Sequence, residues 1–498
     1  MKGKKYSNMQ KTTSTLSRAR AALWAALAAV TLASFGVPAS AQTATPPRAA
    51  ASQNSYADVV GRVAPAVVTI RSQRRVSASQ QFPFMDDPLF REFFGQRVPR
   101  GGQQPRSERQ RGLGSGVIVS ADGYILTNHH VVDGAEEITV ELTDNRTLRA
   151  KLVGSDPPSD LAVLKVEERG LPVLPLGNSD TVRVGDVVLA IGNPLGIGQT
   201  VTSGIISAKG RQTGLGDGSF EDFLQTDAAI NRGNSGGALV SATGELIGIN
   251  SQILSPSGGN IGIGFSIPSN MARDVMSQLV STGRVRRGMV GVSIQPVTAD
   301  IAASLSLPAA RGALVSEVQP DSPAERAGVR RGDVITAVNG TPVADYNAFR
   351  NVIARTQPGT EVTLTVSRDG REQQLRATLA ELPVERAEGE RPAAGGEENT
   401  SGGGRLGVTV EPLTAEAAAR LELPRDTRGL LVTGLDPDGP AAEAGIRRGD
   451  LIQELNRRPV ATREDLRAAL AGAGERPVLL LVTRDGRSNY LTVRLRAQ

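Results

Sequence analysis

The chain has 498 residues, of which 39% are hydrophobic and 21% charged, values ordinary for soluble globular protein, and its length suits about three domains. It contains no cysteine, which excludes disulfides, thiolate nucleophiles and cysteine-based metal sites. The net charge is +5, but residues 1–20 hold six lysines and arginines and no acid, so the rest carries −1 and offers no support for nucleic-acid binding.

The first 41 residues have the pattern of a secretory signal peptide. A basic segment is followed by the apolar run Ala21 to Val37 and by small residues that end at Ala41. The run is interrupted by Gly36 and Pro38 and lies at the short limit for a membrane span. We therefore expect an exported protein cleaved after Ala41, with a membrane anchor as the alternative.

Residues 42–285 contain many short apolar runs separated by turn signals. Such spacing predicts an all-β sandwich or a pair of barrels, closed by a helix near 270–281. A long polar insertion, 72–112, is rich in Arg and Gln and also holds an aromatic cluster. We expect this insertion to regulate the protein or to contact another subunit, the alternative being a flexible loop. The predicted strands are 67–70, 116–119, 124–127, 137–142, 161–166, 187–191, 204–207, 246–249 and 263–267.

The remainder is an internal duplication. The segment Ala327 to Ile335 recurs at Ala444 to Ile452, an offset of 117 residues. Residues 384–404 between the copies are rich in Glu, Gly, Ala and Pro and are expected to form a flexible linker. The two copies are thus assigned to 286–383 and 405–498.

Three residue types in the first domain suggest nucleophilic catalysis. Ser235 lies among glycines, which permit an exposed hydroxyl and close backbone approach, although an ordinary tight turn has the same composition. The chain has two histidines, His129 and His130, so the base of a Ser-His enzyme must be one of them. In an extended segment they would point to opposite faces, and local chemistry does not choose between them. Asp160, just before an apolar strand, is the best candidate to orient the base, the alternative being a turn residue.

The motifs resemble those of a known family. Thr-Asn-His-His-Val-Val at 127–132, Ser-Asp-Leu-Ala-Val-Leu at 159–164 and Gly-Asn-Ser-Gly-Gly at 233–237 resemble the trypsin-like proteases. The longer segment from Gln225 to Gly237 resembles the HtrA (Do-like, DegP/DegQ) family, and the duplicated segments resemble PDZ domains. The resemblance covers residues 56–498. It implies a mainly β fold, with a trypsin-like double β-barrel protease domain followed by two α+β PDZ domains.

The resemblance also implies roles for individual residues. His130 would be the base, Asp160 its orienting acid and Ser235 the nucleophile, which leaves His129 as a neighbour. Ile230 and Ile253 would line an apolar specificity pocket suited to small aliphatic side chains. The other residues so assigned are Gly233, Asn234 and Ser235 for the oxyanion hole, Arg211 for a regulatory loop, and Met289, Val290, Gly291, Val292, Arg405, Leu406, Gly407 and Val408 for binding peptide C-termini in the two PDZ copies.

The predicted function is ATP-independent serine endopeptidase activity in the periplasm on unfolded or damaged exported proteins. PDZ domains would capture substrate C-termini, and chaperone activity could accompany proteolysis. The resemblance implies homotrimers and higher oligomers, with 72–112 as a contact between trimers. No cofactor, metal or nucleic acid is expected, and membrane association is not required. The alternatives are a regulatory protease that cleaves one signalling protein, a non-proteolytic PDZ chaperone or adaptor, and a second PDZ copy that serves assembly.

Overall fold

The computed structural model describes residues 55–76, 108–194, 198–213, 219–256, 258–383, 405–421, 423–424, 426–472 and 476–495. The predicted leader at 1–41, the linker at 384–404 and the centre of the predicted insertion lie outside these residues. The two ends of that insertion are strand rather than loop, because β1 (Val67–Val76) and β2 (Glu108–Ile118) pair along their whole length. Arginines and glutamines there give no apolar alternation by which the strands could be recognised.

The first barrel is a closed ring of strands in the order β1-β2-β3-β6-β5-β4. Its inward side chains, such as Ile70, Val140 and Leu164, are fully buried. The burial of each contributes about 1.5–3 kcal/mol to the free energy of folding. A helix, α1 (Ala57–Val63), precedes it. The further elements are β3 (Tyr124–Thr127), α2 (His129–Val132), β4 (Glu137–Glu141), β5 (Thr147–Asp156) and β6 (Leu161–Val166).

The second barrel closes in the order β10-β11-β12-β9-β8-β7. Its strands are β7 (Val187–Gly192), β8 (Thr200–Arg211), β9 (Phe223–Thr226), β10 (Ala238–Ser241), β11 (Leu246–Ile253) and β12 (Gly264–Pro268). The predicted closing helix is confirmed as α3 (Ser269–Thr282), which packs on β5 and β6 of the first barrel as well as on β11. It ends where Gly283 takes a left-handed conformation, with φ of 72°.

Two sheets of the same design follow, in the orders β14-β15-β16-β18-β19 and β21-β22-β23-β25-β26. The first copy consists of β13 (Gly288–Met289), β14 (Val292–Pro296), α4 (Ala299–Ser304), β15 (Ala313–Val318), α5 (Pro323–Arg326), β16 (Val334–Val338), β17 (Thr341–Pro342), α6 (Tyr346–Arg355), β18 (Glu361–Arg368), β19 (Arg371–Thr378) and β20 (Ala380–Glu381). The second consists of β21 (Val408–Pro412), α7 (Ala415–Arg420), β22 (Leu430–Leu435), α8 (Pro440–Glu443), β23 (Leu451–Leu455), β24 (Arg458–Pro459), α9 (Arg463–Ala471), β25 (Val478–Arg484) and β26 (Arg487–Val493).

The same buried ion pair is formed at the end of both Arg-Arg-Gly-Asp segments of the repeat, 330–333 and 447–450. Asp333 is fully buried, accepts the N–H of Arg330 at 2.8 Å and pairs with Arg368 at 2.6 Å. Asp450 is buried to the same degree and pairs with Arg484, also at 2.6 Å. Each carboxylate therefore joins the turn before a strand to a strand further along the sheet, and a buried charge needs such a partner.

Side-chain amides hold the first copy against the second barrel. Asn347 and Asn351 on α6 both donate to the backbone carbonyl of Glu221, at 2.8 and 2.9 Å. The two copies also contact each other, since the amide of Gln295 on β14 donates to and accepts from the backbone of Tyr490, at 2.9 and 2.7 Å. None of the helices in the described ranges is long and apolar enough to cross a membrane.

Candidate active site

Ser235 lies in a turn before β10 that only glycine-containing sequences can form. Gly233 and Gly236 have φ of 96° and 82°, in the left-handed region. A Cβ at Gly236 would lie 2.1 Å from the carbonyl oxygen of Ser115, which excludes any side chain. The N–H of Ser115 donates to the carbonyl of Ser235 at 2.8 Å. The serine turn of the second barrel is thereby fixed to β2 of the first.

The structure brings His130, and not His129, to the acid. The Nδ1 atom of His130 lies 2.9 Å from each carboxylate oxygen of Asp160, and the backbone N–H of His130 donates to Oδ1 at 3.1 Å. The Nε2 atom of His129 lies 3.6 Å from Asp133 instead. The expectation that the histidines occupy an extended segment is wrong, since both belong to the one-turn helix α2.

Asp160 is held in an unusual backbone conformation directly before β6. Its φ of 52° is left-handed, and its side chain also accepts the hydroxyl of Ser251 at 2.9 Å. Burial raises the pKa of the Asp160 carboxyl, but the charge and hydrogen bonds of His130 and the Ser251 hydroxyl outweigh burial and lower it below 3.8. The carboxylate therefore stays charged at neutral pH and can fix the imidazole in one tautomer.

The turn before Asp160 is anchored by a residue at the start of the first PDZ-like copy. Residues Pro157–Ser159 form a 3₁₀ turn capped by Asp156, which accepts the N–H of Ser159 at 3.1 Å. Arg287 donates to Asp156 at 2.8 Å, and both side chains are largely buried. The guanidinium of Arg287 also lies over the ring of Phe220, 4.6 Å from its centre. The position of Asp160 thus depends on contacts far away in the sequence.

Ser251 joins the nucleophile to the acid and was missed by sequence reasoning. The hydroxyl of Ser235 donates to the Ser251 carbonyl at 2.9 Å, while the Ser251 hydroxyl donates to Asp160 at 2.9 Å. Ser251 follows Asn250 in the middle of β11, and both are buried. The sequence signal that could have indicated Ser251 is the pair of polar residues, Asn250 and Ser251, that interrupts an apolar strand.

The backbone donors of the serine turn differ from the expected set. The N–H of Asn234 donates to the Asn231 carbonyl at 2.9 Å and is therefore not open to an oxyanion in this conformation, so a contribution of Asn234 to an oxyanion hole stays a prediction. Among the described residues, no acceptor takes the N–H of Gly233 or of Ser235. These are the two groups that could bind a developing alkoxide.

The residues expected to form the pocket and the regulatory loop lie in the second barrel. Ile230 is fully buried and Ile253 is 8% exposed, and both belong to one apolar cluster. A Cβ at Gly264 would lie 2.9 Å from the Cδ1 atom of Ile230, so glycine there leaves room beside the isoleucine. Arg211 is the last residue of β8 rather than a loop residue, and its Nε donates to Gln225 at 3.1 Å.

The two segments expected to bind peptide C-termini are built alike. Gly291 and Gly407 have φ of 82° and 74° and directly precede the edge strands β14 and β21. Val290 and Leu406 are buried, and their carbonyls accept the N–H groups of Ala324 and Ala441. Met289 pairs with Ala380, and Arg405 donates to the Leu470 carbonyl at 3.2 Å. The flanking residues Val292 and Val408 begin the edge strands.

Replacing Gly236 with alanine is expected to disrupt the serine turn. The added Cβ would overlap the Ser115 carbonyl and the Thr127 hydroxyl, and a positive φ is strained for alanine, so we expect a loss of about 3 kcal/mol or more. Thermal unfolding measures the effect. Gly185→Ala is the control, because its φ of 95° is as strained but nothing lies within 4 Å of its Cβ. Equal effects of the two substitutions would contradict the prediction.

In the described part of the chain, no three His, Asp or Glu side chains come together as a metal site.

Comparison with known proteins gives matches along most of the chain. Family models match a trypsin-like peptidase domain at 114–249 and PDZ domains at 286–379 and 431–484. A probable periplasmic serine endoprotease, DegP-like, of Chlamydia muridarum is 45% identical, over 81% of this chain and 78% of the relative. A probable periplasmic serine protease, do/HhoA-like, of Haemophilus influenzae is 42% identical, over 90% of this chain and 94% of the relative. Among solved structures, the HtrA-type protease AlgW with a decapeptide is 48% identical, covers 66% of this chain and 99% of that chain, and has a TM-score of 0.52.

Proposed function

The chain belongs to the HtrA-type family of DegP-like serine endoproteases, and from this we propose that Ser235, His130 and Asp160 are the catalytic triad of a periplasmic quality-control protease. The protein is a serine endopeptidase with a trypsin-like double barrel and two PDZ domains. Its substrates would be unfolded or damaged exported polypeptides, cleaved without ATP. The observation that carries the proposal is the His130 to Asp160 pair at 2.9 Å, which Ser251 connects to the hydroxyl of Ser235.

The reaction would follow from this geometry. His130 takes the proton of the Ser235 hydroxyl as the oxygen attacks the substrate carbonyl, and Asp160 stabilises the imidazolium that results. The N–H groups of Gly233 and Ser235 would bind the oxyanion, after which His130 protonates the leaving amine and water releases the acyl group. In this conformation the Ser235 proton is donated to the Ser251 carbonyl. Activation would therefore begin with rotation of the Ser235 side chain toward His130.

The PDZ domains would supply substrates to this site. The edge strands β14 and β21 can each accept an extended peptide as an additional strand, and the preceding loops can bind its terminal carboxylate. Capture of one end raises the local concentration of the rest of the polypeptide near the protease. We further propose that the protein forms homotrimers and larger assemblies. Arg211 would couple peptide binding to the active site. The leader would be cleaved after Ala41. Ile230 and Ile253 would limit the specificity pocket to small aliphatic side chains.

Mapping the cut sites in an unfolded protein tests the pocket and the substrate class together. Reduced, alkylated α-lactalbumin should be cut after valine, alanine or isoleucine, because no charge of the pocket residues could pair with lysine or arginine. The same protein with its disulfides intact should resist, since a folded chain cannot present an extended segment. Mass spectrometry identifies the termini. Cuts mainly after lysine or arginine would exclude the apolar pocket, and equal cleavage of both forms would exclude selectivity for unfolded chains.

A further inference from the structure

Ser115 lies against the turn that carries Ser235. It belongs to β2 of the first barrel and is fully buried, and its hydroxyl donates to the carbonyl of Gly233 at 2.7 Å. Its backbone N–H donates to the carbonyl of Ser235 at 2.8 Å. One residue of the first barrel thereby holds the carbonyl groups of Gly233 and Ser235, the two residues whose N–H groups would bind the oxyanion.

The direction of the Ser115 hydroxyl is set by Asn193, which follows β7. The backbone N–H of Asn193 donates to the hydroxyl oxygen of Ser115 at 2.9 Å. The side chain of Asn193 is itself held, because its amide donates to the hydroxyl of Thr69 at 2.6 Å. Gly192 leaves room for these contacts, since a Cβ there would lie 3.0 Å from the Ser115 oxygen. With its oxygen accepting from Asn193, the hydroxyl donates its single proton to the Gly233 carbonyl.

The backbone at Gly233 depends on this support. Its φ of 96° is one that glycine adopts about as readily as a negative value, so the residue itself does not fix the direction of its N–H. The side chain of Asn234 adds little, because its amide nitrogen lies 3.4 Å from the Ala229 carbonyl and its Oδ1 atom has no partner among the described residues. The peptide between Gly233 and Asn234 is fixed at its two ends, by the Ser115 hydroxyl and by the Asn231 carbonyl.

We propose that Ser115 is a positioning residue of the oxyanion hole and keeps the N–H of Gly233 turned toward the substrate carbonyl. This rests on the proposed role of Ser235 as the nucleophile. Without the hydroxyl, the Gly233 carbonyl loses its partner and the adjoining peptide can rotate, because glycine tolerates the change in φ. The N–H of Gly233 then leaves the place where it stabilises the developing negative charge. Because that charge exists only in the transition state, the loss should appear in kcat and not in KM.

Ser115→Ala in the full chain tests this role, since it removes one oxygen and keeps the Cβ. The substrate is a fluorogenic peptide that spans a mapped cut site, and the inhibitor is a peptide boronic acid of the same sequence up to the cut. The Ser235 oxygen adds to boron as its proton passes to His130, and the tetrahedral adduct directs one oxygen into the oxyanion hole. We expect kcat and the affinity for the boronic acid both to fall about 10- to 100-fold, with KM changed less than about twofold.

Ser269→Ala is the matched control, because it removes an equally buried hydroxyl that also donates to a backbone carbonyl, that of Gly177. It should keep the wild-type kcat and the wild-type affinity for the boronic acid. Rates are expressed per folded molecule. If Ser115→Ala does not fold, Ser115→Cys takes its place, because a thiol fills the same site and is only a weak donor. The same pattern of losses is then expected, at the lower end of the range.

A Ser115 variant with wild-type kcat and wild-type affinity for the boronic acid would overturn the positioning role and leave the proposed function intact. The same conclusion would follow from a loss confined to KM, from a fall in kcat without weaker binding of the boronic acid, or from an equal loss in Ser269→Ala. If the wild type neither cleaves the peptide nor binds the boronic acid, the proposed function itself is wrong and the role of Ser115 falls with it.

Discussion

Replacing Ser235 with alanine is expected to lower kcat for unfolded casein by roughly 10⁵- to 10⁶-fold, the loss that follows removal of a serine nucleophile in other enzymes. Without the hydroxyl, His130 has no nucleophile to activate, and only binding and oxyanion stabilisation remain. The fold should persist, because Ser235 donates one hydrogen bond, to the Ser251 carbonyl, worth about 1 kcal/mol. Initial rates of casein hydrolysis and thermal unfolding measure the two effects separately.

Ser269→Ala is the control for this substitution. Ser269 is buried to a similar degree and also donates its hydroxyl to a backbone carbonyl, that of Gly177 at 3.0 Å, at the start of α3. It should lose a similar amount of stability and keep its kcat. Loss of activity in both variants would show that stability, not nucleophilicity, explains the effect. Retention of activity in Ser235→Ala would remove Ser235 from the proposed triad.

The double barrel and the two PDZ domains could be predicted because their signals are local. Short apolar runs recur between turn residues, the segments of the first copy recur 116 or 117 residues later, and the family motifs are contiguous. The observed strand order and the matching family models confirm the fold class that these signals predict. Local patterns failed at β5 and at the ends of β1 and β2, where polar side chains on exposed faces obscure the alternation.

The conformation of the histidine segment could not be read locally. Val131 and Val132 favour strand, and the segment follows β3 directly. The one-turn helix α2 is held instead by Asp160, whose backbone carbonyl accepts the N–H of His129 at 3.1 Å and whose side chain accepts that of His130. These contacts join residues about thirty positions apart, and no periodicity within α2 indicates them.

The support around Asp160 was equally invisible in the sequence. Asp156 belongs to no recognised motif, yet it is buried, caps the turn before Asp160 and pairs with Arg287, 131 positions away. Ser251 reaches Asp160 across 91 positions. The side chains of the proposed triad carry motif signals, whereas the residues that position them are defined by contacts that form only in the folded chain.

Asp160→Asn is expected to lower kcat by about 10⁴-fold, the size of effect found when the acid of such a triad becomes an amide. The side-chain amide can donate to Nδ1 of His130, which leaves the proton on Nε2, where a base is needed.

The substitution should also change the stability of the protein. The pKa of Asp160 is lower in the folded state than its ordinary value of 3.8. The charged carboxylate therefore stabilises the fold at pH values above 3.8, and this stabilisation is lost as the pH falls through the lower pKa of the folded state.

We therefore expect Asp160→Asn to unfold at a lower temperature than the wild type at pH 7, with a difference that shrinks below about pH 4. Asp333→Asn is the matched control, since it removes a buried carboxylate that pairs with Arg368 in the first PDZ domain. It should lower stability and leave kcat per folded molecule unchanged. A kcat for Asp160→Asn within tenfold of the wild type would show that Asp160 does not set the tautomer of His130. A stability difference that stays constant between pH 7 and pH 3 would show that the Asp160 charge does not stabilise the fold.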